Sequence, residues 1–132
     1  MGPWLVAGAV NGLMAIAMGA FATHGLRSVL DADALGWIDT GSRYQMWHAL
    51  VLLGVALLLG RAQTGRDRRL LHSLAWAFLV GTALFAGSLY LLALTHVQAL
   101  AWLTPIGGVT LMAGWLGLVV LGVRRWRATD DH

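Results

Sequence analysis

Four long apolar stretches separated by short polar segments divide the chain. From about Pro3 to Ala22 no side chain is charged. At about 1.5 Å per residue, a helix of that length crosses a hydrocarbon core of about 30 Å. The second stretch is shorter: only twelve residues, Ala49 to Gly60, are purely apolar, too few to cross. The second helix must therefore begin near Arg43 and carry Tyr44 to His48 into the bilayer or its interface. The third and fourth stretches run over about 70–94 and 104–123. The pattern predicts an all-α integral membrane protein, one domain over 1–132, folded as a four-helix antiparallel transmembrane bundle with spans at roughly 3–22, 43–60, 70–94 and 104–123.

Local signals refine the boundaries. Gly25 can stop the first helix, and Asp31 or Asp33 can cap the next. Leu35, Trp37 and Ile38, set among polar residues, predict a partly amphipathic lead-in lying at the membrane surface and running into the second span. Thr104 ahead of Pro105 reads as an N-cap followed by proline at the first helical position. In the first span Ala7, Asn11, Ala15 and Gly19 recur every four residues beside Gly8 and Gly12, a small-residue face that lets another helix approach closely. Asn11 is expected to hydrogen-bond across that seam rather than to bind a transported solute. Ala20-Phe21-Ala22 fits a signal-peptidase rule, but no Lys or Arg precedes the apolar run, and the run exceeds a usual signal core. The segment is expected to be retained.

Composition agrees. Charged residues are 11% of the chain, against about 25% in a soluble domain, so the surface cannot be that of a water-soluble globule. Seven Trp and 17 Gly suit interfacial anchoring and close helix packing. The nine basic residues are all Arg. Seven of them fall on the side that holds the N-terminus, the Arg61–Arg69 loop and the tail. Only Arg27 and Arg43 fall on the other, with Asp31, Asp33 and Asp39. The positive-inside rule then puts both termini in the cytoplasm. The net charge of +3 is a topology signal, and no nucleic-acid partner is expected. The absence of cysteine excludes disulfides, thiolate catalysis and Cys-ligated metal centres.

Orientation gathers the polar side chains in the outer half of the membrane: His24 from the first helix, Tyr44, Gln45 and His48 from the second, Ser88 and Tyr90 from the third, Thr104 from the fourth. Facing lipid they would cost several kcal/mol each, so they should face the bundle. There they either hydrogen-bond one another or line a ligand pocket that opens outward. His24, His48 and His96 could all lie on that side. They lack a paired metal-ligand spacing, and a haem or metal site is the weaker alternative. No resident cofactor or metal is expected. His72 and His132 read as solvent or headgroup contacts on the opposite side. No carboxylate lies inside a span, which leaves no paired acid for catalysis and weakens a proton-coupled exporter. Ser88 has no adjacent base to make it a nucleophile.

The motifs Gly19-Ala20-Phe21-Ala22-Thr23-His24-Gly25-Leu26, Tyr44-Gln45-Met46-Trp47-His48-Ala49-Leu50, Phe85-Ala86-Gly87-Ser88-Leu89-Tyr90, and Thr104-Pro105-Ile106-Gly107-Gly108 with Gly114-Trp115 occur in this order. Together they resemble the YgdD family, small four-span membrane proteins related to transmembrane protein two-five-six of animals. The chain departs from that pattern at Ala22-Thr23, where Gly-Ala is usual, and at Ala86, where Ser is usual. The resemblance implies the fold and a bacterial inner-membrane location. It implies no reaction, because the family has no known function. The expected role is therefore non-enzymatic, structural or interactive, with the lipid bilayer, other membrane subunits or further copies of the chain as partners through Gly/Ala-rich faces. The alternative is binding or conducting a small ligand, lipid or ion through the outer polar group.

Overall fold

The computed structural model describes residues 1–130; Asp131 and His132, including the expected headgroup contact of His132, lie outside the described residues. Four long helices follow one another: α1 Gly2–Ala20, α2 Ala32–Gly60, α3 Gly65–Thr95 and α4 Leu103–Asp130. Each is long and apolar enough to cross a membrane, and the described residues include no strand. A π-helical turn, Phe21–Gly25, ends α1, where the Leu26 amide donates to the Phe21 carbonyl at 2.8 Å. A 3₁₀ turn, Gln98–Trp102, leads into α4.

Capping explains several boundaries. Asp31 caps α2, its carboxylate accepting from the Ala34 amide at 2.8 Å, as its side chain type favours. Thr64 does the same for α3 through the Asp67 amide, at 3.1 Å. His96 closes α3 in the left-handed conformation with φ 55°, a geometry usually left to Gly or Asn. Thr104 does not cap. α4 begins at Leu103, and the Thr104 hydroxyl pairs with that of Ser88 instead.

The expected lead-in runs into the second span as one helix: residues 32–43 continue α2 without a break. Ala34 and Ile38 are fully buried in a cluster with Ala86, Tyr90 and Ala93 of α3. Packing against α3 carries the helix on, with Asp39 and Arg43 paired one turn apart on its exposed side.

The helix backbones pack closely in chain order, α1 on α2, α2 on α3 and α3 on α4, with no comparable approach of α4 to α1 or to α2. Half of the apolar window of α3 is buried, against 11% for α1, so α3 is the spine and α1 and α4 are largely lipid-facing. Small residues set the distances. A Cβ on Gly107 would lie 2.5 Å from the Phe85 amide nitrogen and 2.9 Å from the Gly81 carbonyl oxygen, so α3 and α4 touch backbone to backbone there. Gly8 and Gly41 likewise meet Leu53 and Tyr90. Much of the Gly-rich surface is thus used inside the chain. The lower core gathers Trp4, Leu52, Val55, Leu59, Leu71, Phe78, Leu111 and Leu121.

Candidate functional site

The polar residues do not converge on one point; they form three separate links between helices. In the first, Tyr90 of α3 donates to Gln45 Oε1 at 2.8 Å, Gln45 Nε2 donates to Asn11 Oδ1 at 3.1 Å, and Asn11 Nδ2 donates to the Ala7 carbonyl at 2.9 Å. Each amide uses its oxygen as acceptor and its nitrogen as donor. The relay runs in one direction through α3, α2 and α1. Gly41 makes room for it, since a Cβ there would sit 2.8 Å from the Tyr90 ring. Gln45 and Tyr90 are 4% and 8% exposed. Buried groups this polar are tolerated because each is paired. Asn11 makes the interhelical bond expected of it.

In the second link, the Ser88 and Thr104 hydroxyls lie 2.7 Å apart across α3 and α4. Ser88 also lies 3.0 Å from the Phe85 carbonyl, to which it can donate.

The third link joins α2 to α4. His48 Nδ1 stands 2.7 Å from the Tyr44 carbonyl oxygen, and Trp115 Nε1 donates to His48 Nε2 at 3.2 Å. A carbonyl can only accept and an indole N–H can only donate. The pair of contacts therefore fixes the neutral His48 tautomer with its proton on Nδ1. Phe78 and Trp115 meet edge to face at 5.9 Å, and Tyr44 lies 4.6 Å from Phe85.

Because α2 and α4 are joined here by side chains and not by close backbone packing, a gap remains between them. It is a cleft of about 590 Å³ lined by Tyr44, Trp47, His48, Phe85, Met112 and Trp115 among others. A second cavity of about 410 Å³ continues along the same seam from Val51 and Trp115 to Arg61.

His24 joins none of this. It is exposed on the π turn and lines a different recess with Ala17, Ala20, Phe21 and Gly25. His96 is likewise an exposed cap. His72 is not a plain solvent contact: Trp4 Nε1 donates to its Nδ1 at 3.0 Å, and Trp76 packs edge-on to Trp4 at 5.2 Å. No group of three or more His, Asp or Glu side chains with metal-site geometry occurs among the described residues. The Thr82 hydroxyl, 4% exposed, is the one buried side-chain polar atom without a partner among the described residues.

Trp115, Phe85, Phe78 and Met112 were not among the sequence candidates. One signal was available. Trp115 stands nine residues before Arg124, about 14 Å along the helix and so near the membrane centre, whereas Trp favours the interface. A central Trp needs a partner for its N–H.

The family described as "Protein of unknown function (DUF423)" matches residues 18–108. The chain belongs to this family. Its curated relatives carry the UPF0382 and YgdD names, as the four motifs led one to expect. The inner membrane protein YgdD of Escherichia coli K12 is 40% identical over 131 residues, covering 97% of this chain and 95% of the relative. A UPF0382 membrane protein of Haemophilus influenzae is 44% identical over 110 residues, 83% of this chain and 85% of that one. A membrane protein of the same group from Staphylococcus saprophyticus is 38% identical over 117 residues, 89% and 93%. No solved structure matches. The family is thus one of small membrane proteins in contact with the lipid bilayer, and these names state no activity.

Proposed function

We infer that this chain is a non-enzymatic protein of the bacterial inner membrane that holds a flat, lipid-soluble guest between α2 and α4. The observation that carries this reading is the cleft of about 590 Å³, within the range of about 300–1,000 Å³ typical of ligand sites. Aromatic faces of Tyr44, Trp47, Phe85 and Trp115 form its walls, chemistry suited to a ring system. Its opening faces the bilayer, so a guest enters sideways from the lipid. Of the sequence candidates, Tyr44 and His48 serve the guest. Gln45, Ser88, Tyr90 and Thr104 hold the walls in place, and His24 lies apart.

The test is saturable binding of an uncharged anthracene without an acyl chain, such as methylanthracene, read by quenching of tryptophan fluorescence. Gly108 lines the cleft, and a Cβ there meets Phe85 only at 3.8 Å. Gly108→Leu therefore fills the space with little strain. It should abolish saturable quenching, and unchanged quenching would sink the reading.

The orientation that goes with it has both termini in the cytoplasm, supported by the distribution of Arg and by the inner-membrane naming of the E. coli relative. The chain has no cysteine, so single cysteines report topology directly. Gln98→Cys should react with an impermeant maleimide from outside, and Gln63→Cys should not. Self-association ranks second, because Gly8, Gly41, Gly81 and Gly107 pack within the chain.

A further inference from the structure

We propose that the lower cavity, between the inner halves of α2 and α4, is a binding slot for one acyl chain of an anionic phospholipid whose headgroup phosphate pairs with Arg61. The slot of about 410 Å³ is lined by Val51, Gly54, Leu58, Arg61, Trp115 and Leu118 among others. Three observations select this occupant.

The first is length. From Arg61 to Val51 is ten residues of α2, about 15 Å, half of a hydrocarbon core of about 30 Å. On α4, Trp115 lies about 14 Å from Arg124 by the same rise. The slot thus begins at the headgroup level and stops near the bilayer centre, the depth of a single leaflet. A transmembrane helix of another protein would need a groove twice as deep.

The second is charge. Arg61 ends α2, lines the mouth of the slot, is exposed, and has no salt-bridge partner among the described residues. Arg125, by contrast, lies 3.6 Å from Asp67. A guanidinium with no salt-bridge partner among the described residues, at headgroup depth above an apolar slot, matches a phosphate with a hydrocarbon tail.

The third is the missing side chain at Gly54. A Cβ there would meet nothing within 4 Å, in contrast to the glycines that seat neighbouring helices. Gly54 keeps the slot open and is not needed for helix packing. Trp115 lines the top of this slot and the bottom of the cleft above, so the two sites lie at different depths, one to each leaflet.

The experiment uses the full chain in nanodiscs of mixed phosphatidylglycerol and phosphatidylcholine with identical acyl chains, with retained lipid counted by native mass spectrometry. Wild type should retain phosphatidylglycerol preferentially. Arg61→Gln should lower that retention about fivefold, the worth of one cationic contact at the headgroup surface, while Arg66→Gln should not. Gly54→Leu, which fills the slot, should lose both lipids yet still bind the anthracene probe in the upper cleft. Equal retention of the two lipids by wild type, equal loss in Arg61→Gln and Arg66→Gln, or undiminished retention by Gly54→Leu would overturn the proposal.

A second measurement leaves Arg61 and Gly54 in place. Phosphatidylglycerol brominated at the end of its acyl chain should quench the fluorescence assigned to Trp115, by difference from Trp115→Phe, more than brominated phosphatidylcholine does. Equal quenching by the two would also overturn it.

Discussion

Trp115 of α4 donates its indole N–H to His48 Nε2 of α2 at 3.2 Å, across a gap that the two backbones leave open. The bond holds one wall of the cleft, and Trp115 also lines the cavity below. Trp115→Phe keeps a ring but removes the donor. It should cost about 0.6 kcal/mol, up to about 1.7, the range measured for hydrogen bonds between membrane helices. Thermal or denaturant unfolding in mild detergent measures it. His48→Ala should cost more, because His48 is 6% exposed and its loss also leaves a void.

The Tyr90–Gln45–Asn11 relay should behave as a unit. Tyr90→Phe and Gln45→Leu each strand a buried partner, whereas the double variant strands less. A double-mutant cycle should therefore fall short of additivity by about 0.5 kcal/mol or more. Strict additivity would mean that the relay contributes no coupling.

Gly107→Ala should be severe. The added Cβ meets backbone atoms of Phe85 and Gly81 below 3 Å, and backbone cannot rotate away. Overpacking of this kind costs about 1–3 kcal/mol, and the protein should lose folded yield in detergent. Gly54→Ala is the matched control. It enters open space and, within a helix, should be neutral or stabilising by up to about 1 kcal/mol.

Thr82→Val replaces a buried, unpartnered hydroxyl with a methyl of similar size. It should leave stability unchanged or raise it by about 1 kcal/mol, since an unsatisfied buried group carries a desolvation cost. A clear loss of stability would show that the hydroxyl is engaged in the membrane-embedded protein.

Asp31→Ala should cost about 1 kcal/mol through loss of the cap on the Ala34 amide. Hydrogen exchange should rise first in the opening turn of α2. Thr104→Val should act instead on the α3–α4 contact, through Ser88, and leave exchange at the start of α4 little changed.

The sequence by itself determined the number of helices, their order, the Arg asymmetry and the presence of Tyr44 to His48 on the second helix. Those follow from lengths and from the cost of burying polar groups, and both are additive along a chain. It also placed Asn11 at a helix seam, because a four-residue repeat defines a face within one helix. What each face meets was decided only by the tertiary structure. The register between helices depends on how closely glycines such as Gly41 and Gly107 let neighbours approach. A shift of one turn would exchange the partners of Gln45, Ser88 and His48. The register joined Gln45 to Asn11 and Tyr90, sent Thr104 to Ser88 instead of the helix cap, and left His24 outside. The gap between α2 and α4 was out of reach for the same reason: a cavity is a property of surfaces that fail to meet, and no single helix records where its neighbour stops.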